Sequence, residues 1–242
     1  MASPVDELVI CRLAAMLKGA GVVACGSSSP LQAAASLLAQ ALDPAGVRAL
    51  IFRNPLKDPF HESGSEVYDQ IGQGRIDVFF LSAGQIDGEA NLNNIGVGPY
   101  PATPVRFPGS FGLPYIYLMC PRVILYREEH SPRSLVQKVD FITAPGRSPP
   151  GVYRRGGPTD LVTSLAAFTF DPAVGRFTLA SVHPGHSVAE IVARTGFDFD
   201  HSDEAPATPA PEPAWLDLLY GAVRDKVAET YPEFAAERLE PT

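Results

Sequence analysis

The chain has 242 residues and is 45% hydrophobic, enough for one large domain or two small ones without stapling cross-links. Acidic residues number 27 against 19 Lys and Arg, so the net charge of −8 argues against nucleic-acid or anionic-membrane binding, both of which need a basic surface. Cys11, Cys25 and Cys120 form neither a disulfide framework nor a zinc spacing, no apolar run approaches a membrane span, and the first residues lack a basic-then-apolar leader. A protein of a reducing cytoplasm is expected.

Apolar residues recur at helical spacing over 5–18, with Pro4 and two acids near the start and glycines beyond the end, as helix termini prefer. The run GVVAC (21–25), the turn GSSS (26–29) and the small-residue helical stretch 31–42 then read as strand, turn, helix, the opening of an α/β unit. The rhythm returns with a strand at 47–52, a helix at 65–74 and a strand at 75–84. Residues 85–114, rich in Gly, Pro and Asn, read as polar loops around one short strand. Strands are predicted at 123–127 and 138–143 with a helical turn between them, and 144–158 is loop. Segments 161–171 and 175–182 alternate as two strands of a hairpin around DPAVG. A helix capped by Ser187 covers 187–196. The acidic, Pro-rich stretch 201–214 is an extended arm, followed by a helix at 215–227 and an end that frays. The expected division is one α/β domain over 1–200, then the arm and C-terminal helix over 201–242.

Several chemistries lack their signature. Neither GxGxxG nor GxxxxGK[ST] is present, no HExxH or acidic–histidine cluster has metal spacing, and no serine sits in G-x-S-x-G. His183 and His186 are separated by Pro and Gly, which denies a helical ligand pair. Glu128, Glu129 and His130 read as a solvated strand end.

Two segments are more informative. PGSFG (108–112), preceded by Arg106, is either an ordinary turn or a bend whose N–H groups converge on a carboxylate or thioester oxygen. SAGQIDGEANLNN (82–94) starts at the end of an apolar strand, where ligands of open α/β sheets bind. There Gln85, Asn91, Asn93 and Asn94 either offer neutral hydrogen bonds to a ligand or form Asx turns that satisfy the backbone.

The ordered series RIDVFFLSAGQIDGEANLNNIGVG, VRFPGSFG, DFITAPG, GGPTDLVTSLAAFTFD and VHPGHSVAEIVARTGF, spread over about 75–200, resembles the β subunit of family I CoA-transferases. The similarity is to the glutaconate CoA-transferase type, including relatives that hydrolyse ring-opened steroid CoA thioesters. It implies a three-layer α/β/α fold with a mostly parallel central sheet, an α-subunit partner in a heterodimer or heterotetramer, and a site between the two subunits. It implies no resident cofactor, with coenzyme A entering as part of the substrate. It also places Gly109, Ser110, Phe111 and Gly112 on the loop whose amides hold an oxyanion, with Gln85, Asn91 and Asn93 as substrate-binding residues.

In that family a glutamate directly after the strand matching VRALIF attacks the acyl-CoA, and each adduct stays activated. This chain has Arg53, Asn54 and Pro55 there, and a guanidinium is no nucleophile at neutral pH. Glu62 is then the candidate catalytic carboxylate and Arg53 a cation suited to an acidic substrate; Glu66 reads as a first-turn helix residue. Three readings follow: a transferase-like subunit acting on an acyl-CoA, a subunit of a C–C hydrolase whose catalytic carboxylate lies on the α subunit, and a non-catalytic structural subunit.

Overall fold

The computed structural model describes residues 4–52 and 64–240. Arg53 and Glu62 lie outside the described residues. The chain divides into two compact units, one of Met1–Phe80 with Pro209–Thr242 and one of Leu81–Thr208.

The first unit opens with helix α1 (Pro4–Met16), strand β1 (Gly21–Cys25), helix α2 (Pro30–Leu42), strand β2 (Val47–Ile51), helix α3 (Gly64–Gly72) and strand β3 (Val78–Leu81). The second holds the two-residue strands β4 (Gln85–Ile86), β5 (Leu92–Asn93), β6 (Gly96–Val97) and β7 (Val105–Arg106), then helix α4 (Leu113–Met119) and strands β8 (Arg122–Arg127), β9 (Pro158–Thr163), β10 (Ala166–Asp171) and β11 (Arg176–Val182). It ends with helix α5 (Val188–Arg194). The chain closes with α6 (Pro213–Leu218), a π turn at Leu219–Val223, α7 (Arg224–Ala228) and α8 (Pro232–Arg238), all within the first unit.

In the first unit β1 pairs in parallel with both β2 and β3. Helix α1 buries Leu8, Val9, Ile10 and Leu13, apolar on most of its circumference as a helix covered by neighbours must be. Helix α2 buries Ala33, Ala34, Ala35 and Ala39, whose small side chains let it lie close to its neighbours. The terminal segment is tied to α1, because Arg238 donates twice to the buried carboxylate of Asp6, at 2.6 Å each, and the Tyr220 hydroxyl donates to Glu7. The expected fraying end is therefore a helix. Its predecessor at 215–227 is not continuous but kinks at Gly221, whose φ and ψ are −99° and −111°.

In the second unit β8 pairs in parallel with β9, and β9, β10 and β11 follow antiparallel. Val123, Ile124 and Leu125 of β8 are fully buried, the unbroken apolar run of a strand covered on both faces. Phe168, Phe170, Phe177, Phe197 and Phe199 pack ring against ring at centroid separations of 4.9–6.4 Å. The outer edge of β11 is covered by the Pro-rich arm: Asp200 exchanges backbone bonds with Phe177 and Leu179, and Val182 does so with Pro206 and Thr208. The parallel pairing of β1 with β2 and β3, and of β8 with β9, among helices is the α/β class read from the sequence.

Three local expectations need correction. The loop region 85–114 contains four short strands in two ladders and the start of α4, rather than one strand. Residues 138–143 are bends that feed an isolated bridge between Ala144 and Leu92, with no strand. Residues 161–171 are not one strand, because Thr163 Oγ1 accepts from the N–H groups of Leu165 and Ala166 and turns the chain between β9 and β10.

Candidate functional site

The segment 82–98 follows β3 and folds on itself through side-chain hydrogen bonds. Asn93, fully buried, donates through Nδ2 to Gln85 Oε1 (2.7 Å) and to the Gly96 carbonyl (2.8 Å), while its Oδ1 accepts from the N–H groups of Ile95 and Gly96. Gln85 donates to Asp140 Oδ2 (2.9 Å) and accepts from the Asp140 N–H. Asp87 accepts from the N–H groups of Glu89 and Asn91, from Asn91 Nδ2 and from the Val139 N–H. Asn91 Oδ1 takes the Gly146 N–H at 3.1 Å, and a side chain at Gly146 would strike the Glu89 carbonyl. Gln85, Asn91 and Asn93 thus direct their amides at their own protein, which is the Asx-turn alternative read from the sequence.

The segment 108–112 is different in kind. It is reached from Phe107, whose N–H donates to the Ile95 carbonyl, and from Gly109, whose N–H donates to the Asn94 carbonyl at 3.1 Å. Gly109, Phe111 and Gly112 have φ of +102°, +33° and +70°, so the backbone turns through left-handed conformations that glycine accepts at little cost. Among the described residues no acceptor takes the N–H of Ser110 or of Gly112. Phe111 is 82% exposed.

The bend continues into α4, and that helix is fixed from behind. The buried Tyr117 hydroxyl donates to the Ala90 carbonyl (2.7 Å). Arg154 spreads its guanidinium over the carbonyls of Tyr117, Pro145 and Gly156 and lies above the Tyr117 ring. Burial lowers the Arg154 pKa and raises that of Tyr117 well above its usual value. The sequence reading missed both residues. Their partners lie 27 and 37 positions away, and no local pattern reports them.

Other reactive groups are occupied or masked. His130 is buried, not solvated as expected: its ring nitrogens meet Thr163 and Thr195 hydroxyls at 2.8 and 2.9 Å, and burial pushes its pKa down to about 4. His183 is buried between Thr208 and the Thr163 carbonyl, and His186 pairs with Glu190. Burial pushes the thiols of Cys11 and Cys25 up to about 12, which suppresses the thiolate a nucleophile requires. A hollow of ≈ 750 Å³ in the second unit is lined by Asp87, Glu89, Asn91, Lys138, Arg176 and Asp198 among others, and not by the bend. What the bend presents, among the described residues, is two main-chain N–H groups that meet no acceptor, on either side of an exposed Phe111.

Residues 47–194 match the family model described as Coenzyme A transferase. The chain is 32% identical over 152 residues to the B subunit of 3-oxoadipate CoA-transferase from Pseudomonas knackmussii, covering 60% of this chain and 58% of that one. It is 31% identical over 163 residues to the B subunit of glutaconate CoA-transferase from Acidaminococcus fermentans, covering 64% and 60%. The matched part thus spans about three fifths of the length of these curated relatives. Among solved structures, a variant of the decarboxylase AibA/AibB superposes with a TM-score of 0.75 at 25% identity, over 90% of this chain and 94% of that one. No helix among the described residues is long and apolar enough to cross a membrane.

Proposed function

The chain belongs to the coenzyme A transferase family, and from that premise we propose that it is the β (B-type) subunit of a two-part enzyme acting on an acyl-CoA thioester. The observation that carries the reading is the partly exposed bend at 108–112, where the N–H groups of Ser110 and Gly112 meet no acceptor among the described residues. A thioester carbonyl seated there accepts from these amides. Attack at its carbon moves charge onto that oxygen, so the hydrogen bonds strengthen as the transition state is approached. Coenzyme A enters as part of the substrate, and the chemistry requires no resident cofactor. The partner is an α-type subunit, a role supported by the B-subunit names of the curated relatives. In this reading Glu62 supplies the carboxylate and Arg53 receives an acidic end of the acyl group. The scaffold residues Gln85, Asn91 and Asn93 act on substrate only by holding the bend's support.

A second reading is favoured by one specific observation: Arg53, Asn54 and Pro55 follow the β2 segment, with no glutamate directly after it. The same bend would then hold the enolate oxygen formed when a C–C bond beside the thioester breaks, with the acid–base carboxylate on the partner. The similarity to a decarboxylase, which also breaks a C–C bond, supports this alternative.

Co-expression with an α-type subunit followed by borohydride reduction in the presence of acyl-CoA separates the readings. The first expects an acyl-CoA-dependent mass change on this chain, absent in Glu62→Gln, and a raised KM for acidic acyl-CoA in Arg53→Ala. The second expects no adduct and a product shortened by a C–C cleavage. Neither product with any acyl-CoA would leave only a structural subunit and overturn both.

A further inference from the structure

We propose that Thr143 is a positioning residue for the bend: its hydroxyl holds the Asn94 main chain, whose carbonyl in turn anchors Gly109; this rests on the thioester reading of the bend. Thr143 lies in DFITAPG (140–146), one of the stretches that carry the family resemblance. Its own N–H donates to the Leu92 carbonyl at 2.8 Å, beside an antiparallel bridge between Leu92 and Ala144, so main-chain bonds fix the residue. From there its Oγ1 accepts the Asn94 N–H at 2.9 Å, across 49 positions. The Asn94 side chain is held as well, with Oδ1 accepting from the Gly84 N–H and Nδ2 donating to the Ser82 carbonyl. The next N–H, of Ile95, meets Asn93 Oδ1 at 3.0 Å. A peptide unit is planar, so fixing that N–H fixes the direction of the Asn94 carbonyl, which accepts from the Gly109 N–H at 3.1 Å.

At Gly109 the bend depends on this anchor rather than on packing. A Cβ there would meet nothing within 4 Å, and a φ of +102° is one of many values a glycine adopts. Hydrogen bonds therefore set the direction of the Ser110 N–H, which lies in the peptide unit that follows Gly109. At the exit of the bend the Ser110 carbonyl accepts from the Leu113 N–H at 2.8 Å. At the entry Asn94 holds the Gly109 N–H and Ile95 holds the Phe107 N–H. Without the Thr143 hydroxyl, the Asn94 N–H loses its acceptor and is driven to turn toward water. The peptide units on either side of the Asn94 Cα turn with it, and the anchor for Gly109 moves. A displacement of about 1 Å is enough to misaim a donor at the carbonyl it should polarise.

Carbon-13 NMR of the co-purified two-subunit complex, saturated with acetonyl-dethia-CoA labelled at its ketone carbon, tests this; in the probe a methylene replaces the thioester sulfur. Thr143→Val keeps the shape of the side chain and removes the acceptor. It should cut the downfield shift of the bound ketone by about half or more, while Thr143→Ser, which keeps a hydroxyl, restores the shift of the unmodified complex. A merely structural role would lower the melting temperature of Thr143→Val and leave the shift of the folded complex as it was, and that result overturns the proposal. So does a Thr143→Ser complex shifted as little as Thr143→Val. Should Thr143→Val fail to assemble, Thr143→Ala is read in its place; loss of the complex in both would make Thr143 a folding residue and equally overturn the proposal. Gly109→Val distorts the bend directly, at a position where a Cβ meets open space. A shift lost in Gly109→Val but kept in Thr143→Val defeats the positioning role alone. No shift in the unmodified complex, or one kept in Gly109→Val, defeats the reading of the bend.

Discussion

The loop at 82–98 and the bend at 108–112 lie in one unit and meet at Asn94, whose carbonyl takes the Gly109 N–H, yet they are opposites. The loop is rich in carboxylates and amides, and their polar atoms are used internally, with Asn93 at 0% exposure. The bend has no ionisable side chain from Phe107 to Pro114, and among the described residues its Ser110 and Gly112 N–H groups meet no acceptor. A polar residue near a strand end is therefore no sign of a binding group until its hydrogen bonds have been followed. Here the polar side chains build the support, and the proposed binding function falls to the main chain.

That contrast breaks most visibly at Asn93. Asn93→Leu would strand the groups that Asn93 serves on Gln85, Ile95 and Gly96, and should cost about 3–4 kcal/mol and lower Tm by about 10 °C. Calorimetry showing a fall of a degree or two would mean that the loop's network is not a support.

Acid should act on the surrounding scaffold by the next largest amount. His130 has a pKa of about 4 in the folded protein and about 6.5 when unfolded. Below about pH 6.5 the unfolded chain therefore binds a proton that the folded chain refuses. Stability from this group is complete above that pH and is lost progressively toward pH 4, by about 3 kcal/mol. Urea unfolding at pH 7 and pH 4.5, compared between the parent and His130→Gln, should show a shallower pH dependence in the variant. Identical slopes would remove His130 from the account.

The smallest stability change is expected at the bend. Gly109→Val should cost about 1 kcal/mol through its φ, while binding of a CoA analogue is lost. A variant that unfolds like Asn93→Leu would make the bend part of the support, and the distinction would disappear.

The α/β rhythm was legible because buried strands leave apolar runs of four to eight residues, as in VFFL of β3 and VILY of β8. The two-residue strands of 85–114 leave no period to read, and α4 (LPYIYLM) is too short and too aromatic to announce itself. The break between β9 and β10 hides in an apolar stretch because a single Thr163 hydroxyl makes the turn. For the site, residue types and the glycine bend could be read, and the partners could not: Gln85 meets Asp140 across 55 positions. Asn91 likewise meets Gly146 across 55 positions, which no local spacing encodes, whereas the partners of Asn93 lie within eight.

The central claim is that the amides of the bend grip and polarise the carbonyl of a CoA-linked acid. Carbon-13 NMR of a ketone analogue of acyl-CoA, labelled at the carbonyl and bound to the two-subunit complex, tests it most directly. The account expects a downfield shift of the carbonyl resonance on binding that vanishes in Gly109→Val. A bound analogue whose carbonyl resonates as it does in water, or one equally shifted in the variant, would contradict it.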